Sequence, residues 1–107
     1  MQVVKGLEAI DMYFPTTFMY CKENYYVFIE DGIILGSANL ISSLNYVYVL
    51  NLESSERGKG YGRRMVEYLL EQYGTIEGQS TKEALGFWSK YAKIEKDDFI
   101  IGGNIKC

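Results

Sequence analysis

The chain reads Glu56-Arg57-Gly58-Lys59-Gly60-Tyr61-Gly62-Arg63-Arg64 at the junction between a predicted strand and a predicted helix. Three glycines within five residues allow backbone N–H groups to converge on one point. The start of the helix adds the positive end of its dipole, and four basic side chains raise the local charge. The segment is therefore predicted to bind a phosphate group, although a capped connection with solvated charges would have the same pattern.

The two commonest phosphate-binding loops do not match this segment. A Walker loop ends in Gly-Lys-Ser/Thr, which does not occur here. A dinucleotide-binding loop needs a third glycine at the position of Arg63. The glycines therefore indicate another class of phosphate site.

A meander of strands is predicted before the glycine-rich segment. Residues 25–29, 33–40 and 45–52 are rich in aromatic and β-branched side chains, as strands are. Asp31-Gly32 is a hairpin signal, and residues 42–45 can turn into the third strand. Short links make the three strands antiparallel. A further strand is predicted at residues 2–7.

Helical periodicity begins after the glycines. Apolar side chains recur at helical spacing over residues 60–73, and Gly74 is placed to end that helix. Short strands are predicted at residues 75–78 and 99–101. Between them, Ser80-Thr81-Lys82-Glu83 has the form of a capping box and predicts a second helix. The apolar stripe of that helix consists of Ala84, Leu85, Trp88, Tyr91 and Ala92.

Composition limits the classes of function. A chain of 107 residues has room for one domain, predicted to span residues 1–107. With 11 basic and 14 acidic side chains the net charge is -3, which disfavours nucleic-acid binding. There is no histidine, which excludes imidazole catalysis and removes the commonest zinc ligand. No metal site is predicted.

No apolar run approaches the roughly 20 residues of a membrane-spanning helix, and the first residues lack the pattern of a secretory signal. We therefore expect a cytoplasmic protein with neither a membrane nor a nucleic-acid partner. Cys21 and Cys107 form no CxxC pair and are expected to be reduced packing or terminal residues.

Two motifs together resemble the GNAT superfamily of acyl-CoA N-acyltransferases. The first is R-x-x-G-x-G at residues 57–62, between a strand and a helix. The second is Ala84-Leu85-Gly86-Phe87-Trp88-Ser89-Lys90, similar to the family block A-x-x-L/F-Y-x-K. The resemblance covers residues 25–101. It implies a sandwich-like α+β fold with a mixed, mostly antiparallel sheet, two main helices and a shortened N-terminal helical region.

The resemblance also implies a ligand. In the family, the diphosphate of coenzyme A lies on the loop amides, and the pantetheine arm pairs with the preceding strand where two strands splay apart. The implied donor is acetyl-CoA. An added Cβ at Gly60 or Gly62 would most directly block its approach. The implied binding residues are Leu50, Asn51, Leu52, Arg57, Gly58, Lys59, Gly60, Tyr61, Gly62, Arg63, Thr81 and Trp88.

The catalytic positions depart from the family pattern. Trp88 stands where the family often has a Tyr that acts as the general acid. Tyr46 stands where some members have a catalytic Glu. Thr81 replaces the Asn before the second block. Tyr91, one turn after Trp88, is the substitute acid. Glu77 is the preferred base and Glu53 the second candidate, although either could be a solvated or salt-bridged carboxylate.

The acceptor region and the C-terminus are reduced relative to the family. Residues 11–20 leave space for one short helix or loop, and Tyr13, Phe14, Phe18 and Tyr20 could line the acceptor pocket or belong to the core. One C-terminal strand is predicted where the family has two. Because exposed sheet edges are usually covered, a homodimer that completes the sheet is predicted.

These observations favour an acyl-CoA-dependent N-acetyltransferase that acetylates an amine. A non-catalytic acyl-CoA-binding module that regulates a protein partner is the alternative, suggested by the absent Tyr and Glu. A structural domain that has lost the ligand is a third reading.

Overall fold

The computed structural model describes residues 1–14, 22–79, 85–90, 93–95 and 98–102. Within these ranges, strands form a single mixed sheet in the order β1-β2-β3-β4-β5-β7-β6. The strands are β1 (Gln2–Lys5), β2 (Tyr25–Glu30), β3 (Ile33–Ser43), β4 (Tyr46–Ser54), β5 (Thr75–Gln79), β6 (Lys93–Glu95) and β7 (Asp98–Gly102). The helices are α1 (Leu7–Met12), α2 (Tyr61–Tyr73) and α3 (Leu85–Trp88), with a 3-10 turn at Lys22–Asn24.

Strands β2, β3 and β4 form the predicted antiparallel meander, and β1 pairs antiparallel with β2. Asp31 and Gly32 both have positive φ, 53° and 78°, between β2 and β3. A two-residue turn with both φ positive matches the twist of the flanking strands, which is why Asp-Gly is favoured there. The predicted meander and the mixed α+β fold are confirmed.

Helix α2 connects β4 to β5, which pair in parallel. A parallel pair requires such a crossover. The helix buries Met65, Val66 and Leu69 against the sheet and ends at Gly74, whose N–H donates to the Leu70 carbonyl at 2.8 Å. The helical periodicity predicted for residues 60–73 and the predicted end of this helix at Gly74 are confirmed.

The sheet is covered on both faces near its N-terminal strands. Phe28 packs in the core beneath α2, whereas its neighbour Val27 packs with Ala9 of α1 in a second, smaller core. Successive side chains on a strand point to opposite faces, so α1 and α2 lie on opposite sides of the sheet. Trp88 of α3 belongs to the core on the α2 side.

Strand β4 leaves β5 after three residue pairs. The last of these joins Val49 to Gly78, yet β4 continues to Ser54. At this point Asn39 and Leu40 of β3 pair with Asn51 and Val49, so Leu50 is the extra residue of a β-bulge. Beyond it, no pair among the described residues joins positions 50–54 to β5. The described part of β5 ends at Gln79, and this register agrees with the splay that the resemblance implies between β4 and β5.

Two asparagines tie β3 to β4 beside this bulge. Asn51 Oδ1 accepts from the main-chain N–H of Asn39 at 3.1 Å and from its side-chain amide at 2.7 Å. Asn39 is 0% exposed. A bulge disrupts the regular ladder, and a side-chain acceptor beside it satisfies buried donors and fixes the bend of β4.

Several predicted elements need correction. β3 and β4 extend to Ser43 and Ser54, which shortens the predicted turn to residues 44–45. The C-terminus contributes two strands, β6 and β7, because β5 pairs with β7 and β7 with β6. The single predicted strand was therefore wrong. The homodimer that was inferred from it stays a prediction, testable by light scattering, without that support.

Other sequence expectations lie outside the described residues. These are the capping box at residues 80–83, the stripe positions Ala84, Tyr91 and Ala92, the aromatic residues Phe18 and Tyr20, and both cysteines.

We expect Asn51→Ala to lower the free energy of unfolding by about 1–3 kcal/mol, because two donors of buried Asn39 lose their acceptor. Asn45→Ala makes the same change in the exposed hairpin turn and should cost less than about 0.5 kcal/mol. Urea denaturation followed by circular dichroism measures both. Equal losses for the two variants would contradict the role given to Asn51.

Candidate functional site

A cleft of about 980 Å³ opens where β4 leads into α2. Three segments form its walls: the end of β4, the glycine-rich loop with the first turns of α2, and the residues around α3. The lining residues are Leu52, Glu53, Ser54, Glu56, Arg57, Gly58, Gly60, Tyr61, Gly62, Arg63, Glu67, Phe87, Trp88 and Lys90.

The loop backbone is held open by left-handed glycines. Gly58 and Gly60 have φ of 76° and 75°, a region that side-chain-bearing residues rarely adopt. The first backbone hydrogen bond of α2 is donated by Arg64 to the Gly60 carbonyl at 3.1 Å. The N–H groups of residues 61–63 are therefore not used within the helix and are free to bind an external acceptor.

Gly62 has a different role from Gly60. An added Cβ at Gly62 would lie 3.1 Å from a ring carbon of Phe87 and 3.2 Å from Ser54 Oγ, whereas at Gly60 it would have no neighbour within 4 Å. Gly62 therefore permits close packing of α2 against α3 and β4. Of these two glycines, only Gly60 would direct an added methyl group into open space. The expectation that both glycines are kept free for an approaching ligand is corrected for Gly62.

The basic side chains of the loop are largely paired with acidic ones. Lys59 lies 3.7 Å from Glu56, Arg63 contacts Glu67 at 3.2 Å, and Arg64 contacts Glu30 of β2. Each pair is exposed, and exposed pairs contribute about 0–1 kcal/mol. Arg57 makes no ion pair with the residues that the structure describes. Main-chain amides thus supply much of the positive potential.

The candidate site extends from the glycine-rich loop along the edge of β4. After Val49 no described residue of β5 pairs with β4, so the main chain of residues 50–54 presents N–H and C=O groups toward the splay. Leu52 lines the cleft, and Leu50 and Asn51 lie further along the same strand. An extended molecule could add to this edge as a short strand does.

A hydrogen bond crosses from β4 to β5 at the closed end of the splay. The Tyr46 hydroxyl donates to Glu77 Oε1 at 3.0 Å. Burial, followed by this bond and the charge of Glu77, raises the pKa of Tyr46 above 10.0, and Tyr48 contributes further. Tyr46 therefore remains a neutral donor at physiological pH.

Glu53 has different surroundings. Burial raises the pKa of Tyr13, and the Glu53 carboxylate raises it further. The Tyr25 hydroxyl donates to the Tyr13 carbonyl at 2.6 Å, and Phe14 meets the Tyr25 ring edge-on at 5.9 Å. Tyr13 and Phe14 thus pack around Tyr25 of the smaller core, and Glu53 lies near these aromatic residues.

The structure brings eight of the twelve predicted ligand-binding residues into the cleft: Leu52, Arg57, Gly58, Gly60, Tyr61, Gly62, Arg63 and Trp88. Lys59 lines a second cleft on the far side of Arg63. Thr81 and Tyr91 lie outside the described residues. The lining residues that the sequence analysis missed are Ser54, Glu56, Glu67, Phe87 and Lys90. Phe87 and Lys90 stand in the second motif, so their positions carried a signal, whereas nothing in the sequence marked Ser54.

Trp88 is 5% exposed and meets Phe87 edge-on at 5.0 Å between ring centroids. The indole of Trp88 forms part of the cleft wall and has no hydroxyl group that could act as a general acid.

Within the described ranges, no helix is long and apolar enough to cross a membrane, and no cluster of side chains suited to a metal ion is found.

Several solved structures match the fold of this chain. The Bacillus subtilis N-acetyltransferase YlbP in complex with coenzyme A matches 76% of this chain and 68% of its own, with a TM-score of 0.57 and 17% identity. N-acetylglutamate synthase from Neisseria gonorrhoeae, complexed with coenzyme A and L-arginine, matches 97% of this chain and 33% of its own, with a TM-score of 0.65 and 11% identity. Tetrahymena GCN5 matches 73% of this chain and 66% of its own, with a TM-score of 0.54 and 14% identity.

The chain therefore has the fold of the GNAT acetyltransferases, and the resemblance seen in the sequence is confirmed at that level. It spans from a third to about two thirds of the length of these proteins. No protein-family model matches the sequence. Sequence comparison with curated proteins also finds no match.

The raised pKa of Tyr46 leads to a prediction about how stability depends on pH. A phenol whose pKa is higher in the folded state contributes its full stability below the unfolded pKa of about 10, and loses it as the pH rises through the folded value. NMR titration of isotope-labelled tyrosine, with Tyr46→Phe for assignment, should show a midpoint above 10.0. Glu77→Gln should lower that midpoint while leaving it raised, because burial is the largest cause. If Glu77→Gln leaves the midpoint of Tyr46 unchanged, the contact between Tyr46 and Glu77 is contradicted.

Proposed function

We propose that this protein binds a coenzyme A thioester and transfers its acyl group to an amine, with acetyl-CoA as the donor. The observation that carries the proposal is the continuity of the cleft from the amides of residues 61–63 to the unpaired edge of β4. Such an opening suits a long ligand with a phosphate group at one end and amide groups along its arm.

The residues present fit the diphosphate end. Open space above Gly60 leaves room for a phosphate, and the adjacent helix start favours negative charge. Exposed pairs such as Arg63 with Glu67 are weak enough to exchange for a phosphate oxygen. Each amide bond to a charged oxygen is worth about 1.5–3 kcal/mol, so several would give micromolar affinity.

The pantetheine arm fits the edge of β4. Its amides can bond to the main chain of Leu50, Asn51 and Leu52, as a partner strand would. The bulge at Leu50 turns this edge away from β5, and Trp88 with Phe87 supplies an apolar wall. The thioester would then lie toward the closed end of the splay.

The proposed chemistry is direct transfer within one ternary complex. The neutral amine forms a bond to the thioester carbonyl carbon, the C–S bond breaks, and its electron pair leaves with the sulfur as a thiolate. A carboxylate accepts the proton of the amine, and the thiolate is protonated by solvent or by Tyr91. Glu77 and Glu53 are the two carboxylates proposed to accept the proton of the amine.

A non-catalytic acyl-CoA-binding module is the second candidate. The observation in its favour is that Trp88 and Tyr46 occupy the positions where the resemblance places an acid and a base. Binding without release of thiol, measured with a panel of amines, supports this candidate over the enzyme.

Gly60→Ala tests the proposal, with Gly74→Ala as its matched control. Both glycines have positive φ, 75° and 81°, and an added Cβ at either meets nothing within 4 Å. Each variant should lose about 1–2 kcal/mol of stability through backbone strain. Only Gly60→Ala places a methyl group in the cleft, so only it should weaken acetyl-CoA binding, by tenfold or more.

Thermal unfolding and fluorescence measure the binding. Acetyl-CoA at 100 times its dissociation constant should stabilise the wild type by about 2.7 kcal/mol, enough for a rise in melting temperature of roughly 10 °C or more. Trp88 is the single tryptophan and lines the cleft, so its emission should change on binding. No effect of acetyl-CoA or free coenzyme A on the wild type would refute the proposal.

A further inference from the structure

The hydrogen bond from Tyr46 to Glu77 joins two residues that are 31 positions apart. Val47 and Ile76, their chain neighbours, are fully buried on the α2 side of the sheet. Because side chains alternate along a strand, Tyr46 and Glu77 project from the opposite face. The pair therefore lies apart from the apolar core and can be approached from the side of the sheet that α2 does not cover.

This pair lies where the splay closes. Glu77 belongs to the second of the three β4–β5 pairs, and the third, Val49 with Gly78, is the last before the strands separate. A ligand anchored at the glycine-rich loop and extended along residues 50–54 ends at this point. The carboxylate is thus placed at the reactive end of such a ligand, whereas Glu53 lies nearer the loop, beside Tyr13.

No cation pairs with Glu77 among the side chains that the structure describes, which do not include those of β6 and β7. Its register partners are Tyr48 on β4 and Ile100 on β7, and none of the observed ion pairs includes it. Among the described side chains, those facing it are the phenols of Tyr46 and Tyr48. The Tyr46 hydroxyl engages only Oε1, and a carboxylate has a second oxygen that can accept a further hydrogen bond.

We propose that Glu77 is the proton acceptor of the transfer and that Tyr46 is its positioning residue, an inference that rests on the proposed function. Tyr46 engages Oε1 and fixes the carboxylate, so that Oε2 faces the attacking amine. As the N–C bond forms and the C–S bond breaks, the amine proton passes to Glu77 and later to solvent. A phenol thus occupies the position where the resemblance places a carboxylate, and it orients a carboxylate from the adjacent strand.

Four single variants and one double variant test this assignment: Glu77→Gln, Tyr46→Phe, Tyr48→Phe, Glu53→Gln and Tyr46→Phe with Glu77→Gln. Glu77→Gln should lower kcat by about 100-fold or more, as loss of a general base does. Tyr46→Phe should lower kcat by about tenfold with little change in KM for acetyl-CoA. Tyr48→Phe removes the second phenol that faces the carboxylate; because only the Tyr46 hydroxyl donates to Glu77 Oε1, Tyr48→Phe should lower kcat less than Tyr46→Phe does.

The double variant separates positioning from a structural role. If Tyr46 acts through Glu77, the double variant should be no slower than Glu77→Gln alone, since residues that act as a unit are not additive. If the loss of kcat in the double variant is the product of the two single losses, the positioning role of Tyr46 is overturned. A larger loss for Glu53→Gln than for Glu77→Gln would overturn the choice of carboxylate. The probe is thiol release from acetyl-CoA with spermidine, lysine methyl ester and glutamate as amines.

Binding data distinguish failure of this inference from failure of the proposed function. Glu77→Gln, Tyr46→Phe and their double variant should bind acetyl-CoA as the wild type does, by Trp88 fluorescence, because neither side chain lines the cleft. A wild type that does not bind refutes the proposed function and this inference with it. Binding without transfer to any of the amines overturns the assignment of Glu77 while the ligand site stands.

Discussion

The separation of β4 from β5 after Val49 is the constraint on which the site depends. On one edge β5 pairs with β4 over three residues, and on its other edge it pairs along its length with β7. The bulge at Leu50 lies directly after the last β4–β5 pair and is tied to β3 by the hydrogen bonds of Asn39 to Asn51. From this bulge onward, the main-chain groups of residues 50–54 are unpaired by the described part of β5 and lie beside the amides that begin α2. A single backbone irregularity thereby connects a strand edge with a helix N-terminus in one cleft.

The protein is acidic overall, and its candidate anion site does not depend on an excess of basic side chains. Lys59, Arg63 and Arg64 each have a carboxylate partner, so much of the attraction for a phosphate comes from the backbone. Backbone amides cannot be titrated or displaced, and the glycines keep them exposed. The proposed site would bind a diphosphate without the positive surface that attracts nucleic acids.

The proposed catalytic groups are divided between neighbouring strands. Trp88 has become part of the core and the cleft wall, and its indole cannot act as an acid. Tyr46 has a raised pKa and serves as a donor, with Glu77 as its acceptor. Moving the carboxylate from β4 to β5 preserves its place at the closed end of the splay because the two strands are adjacent there.

Local chemistry determined much of the fold and of the loop. Asp31-Gly32 and Gly74 are placed where positive φ is needed, and the period of α2 selects its buried face, so each follows from a few neighbouring residues. The tertiary structure alone decided that Glu77 meets Tyr46, that Arg64 meets Glu30, and that Gly62 packs on Phe87 rather than facing a ligand. It also decided the pairing of β6 with β7 and the bulge at Leu50. These features depend on contacts between strands and helices far apart in the chain, and no local pattern of residues encodes which partner a strand edge will find.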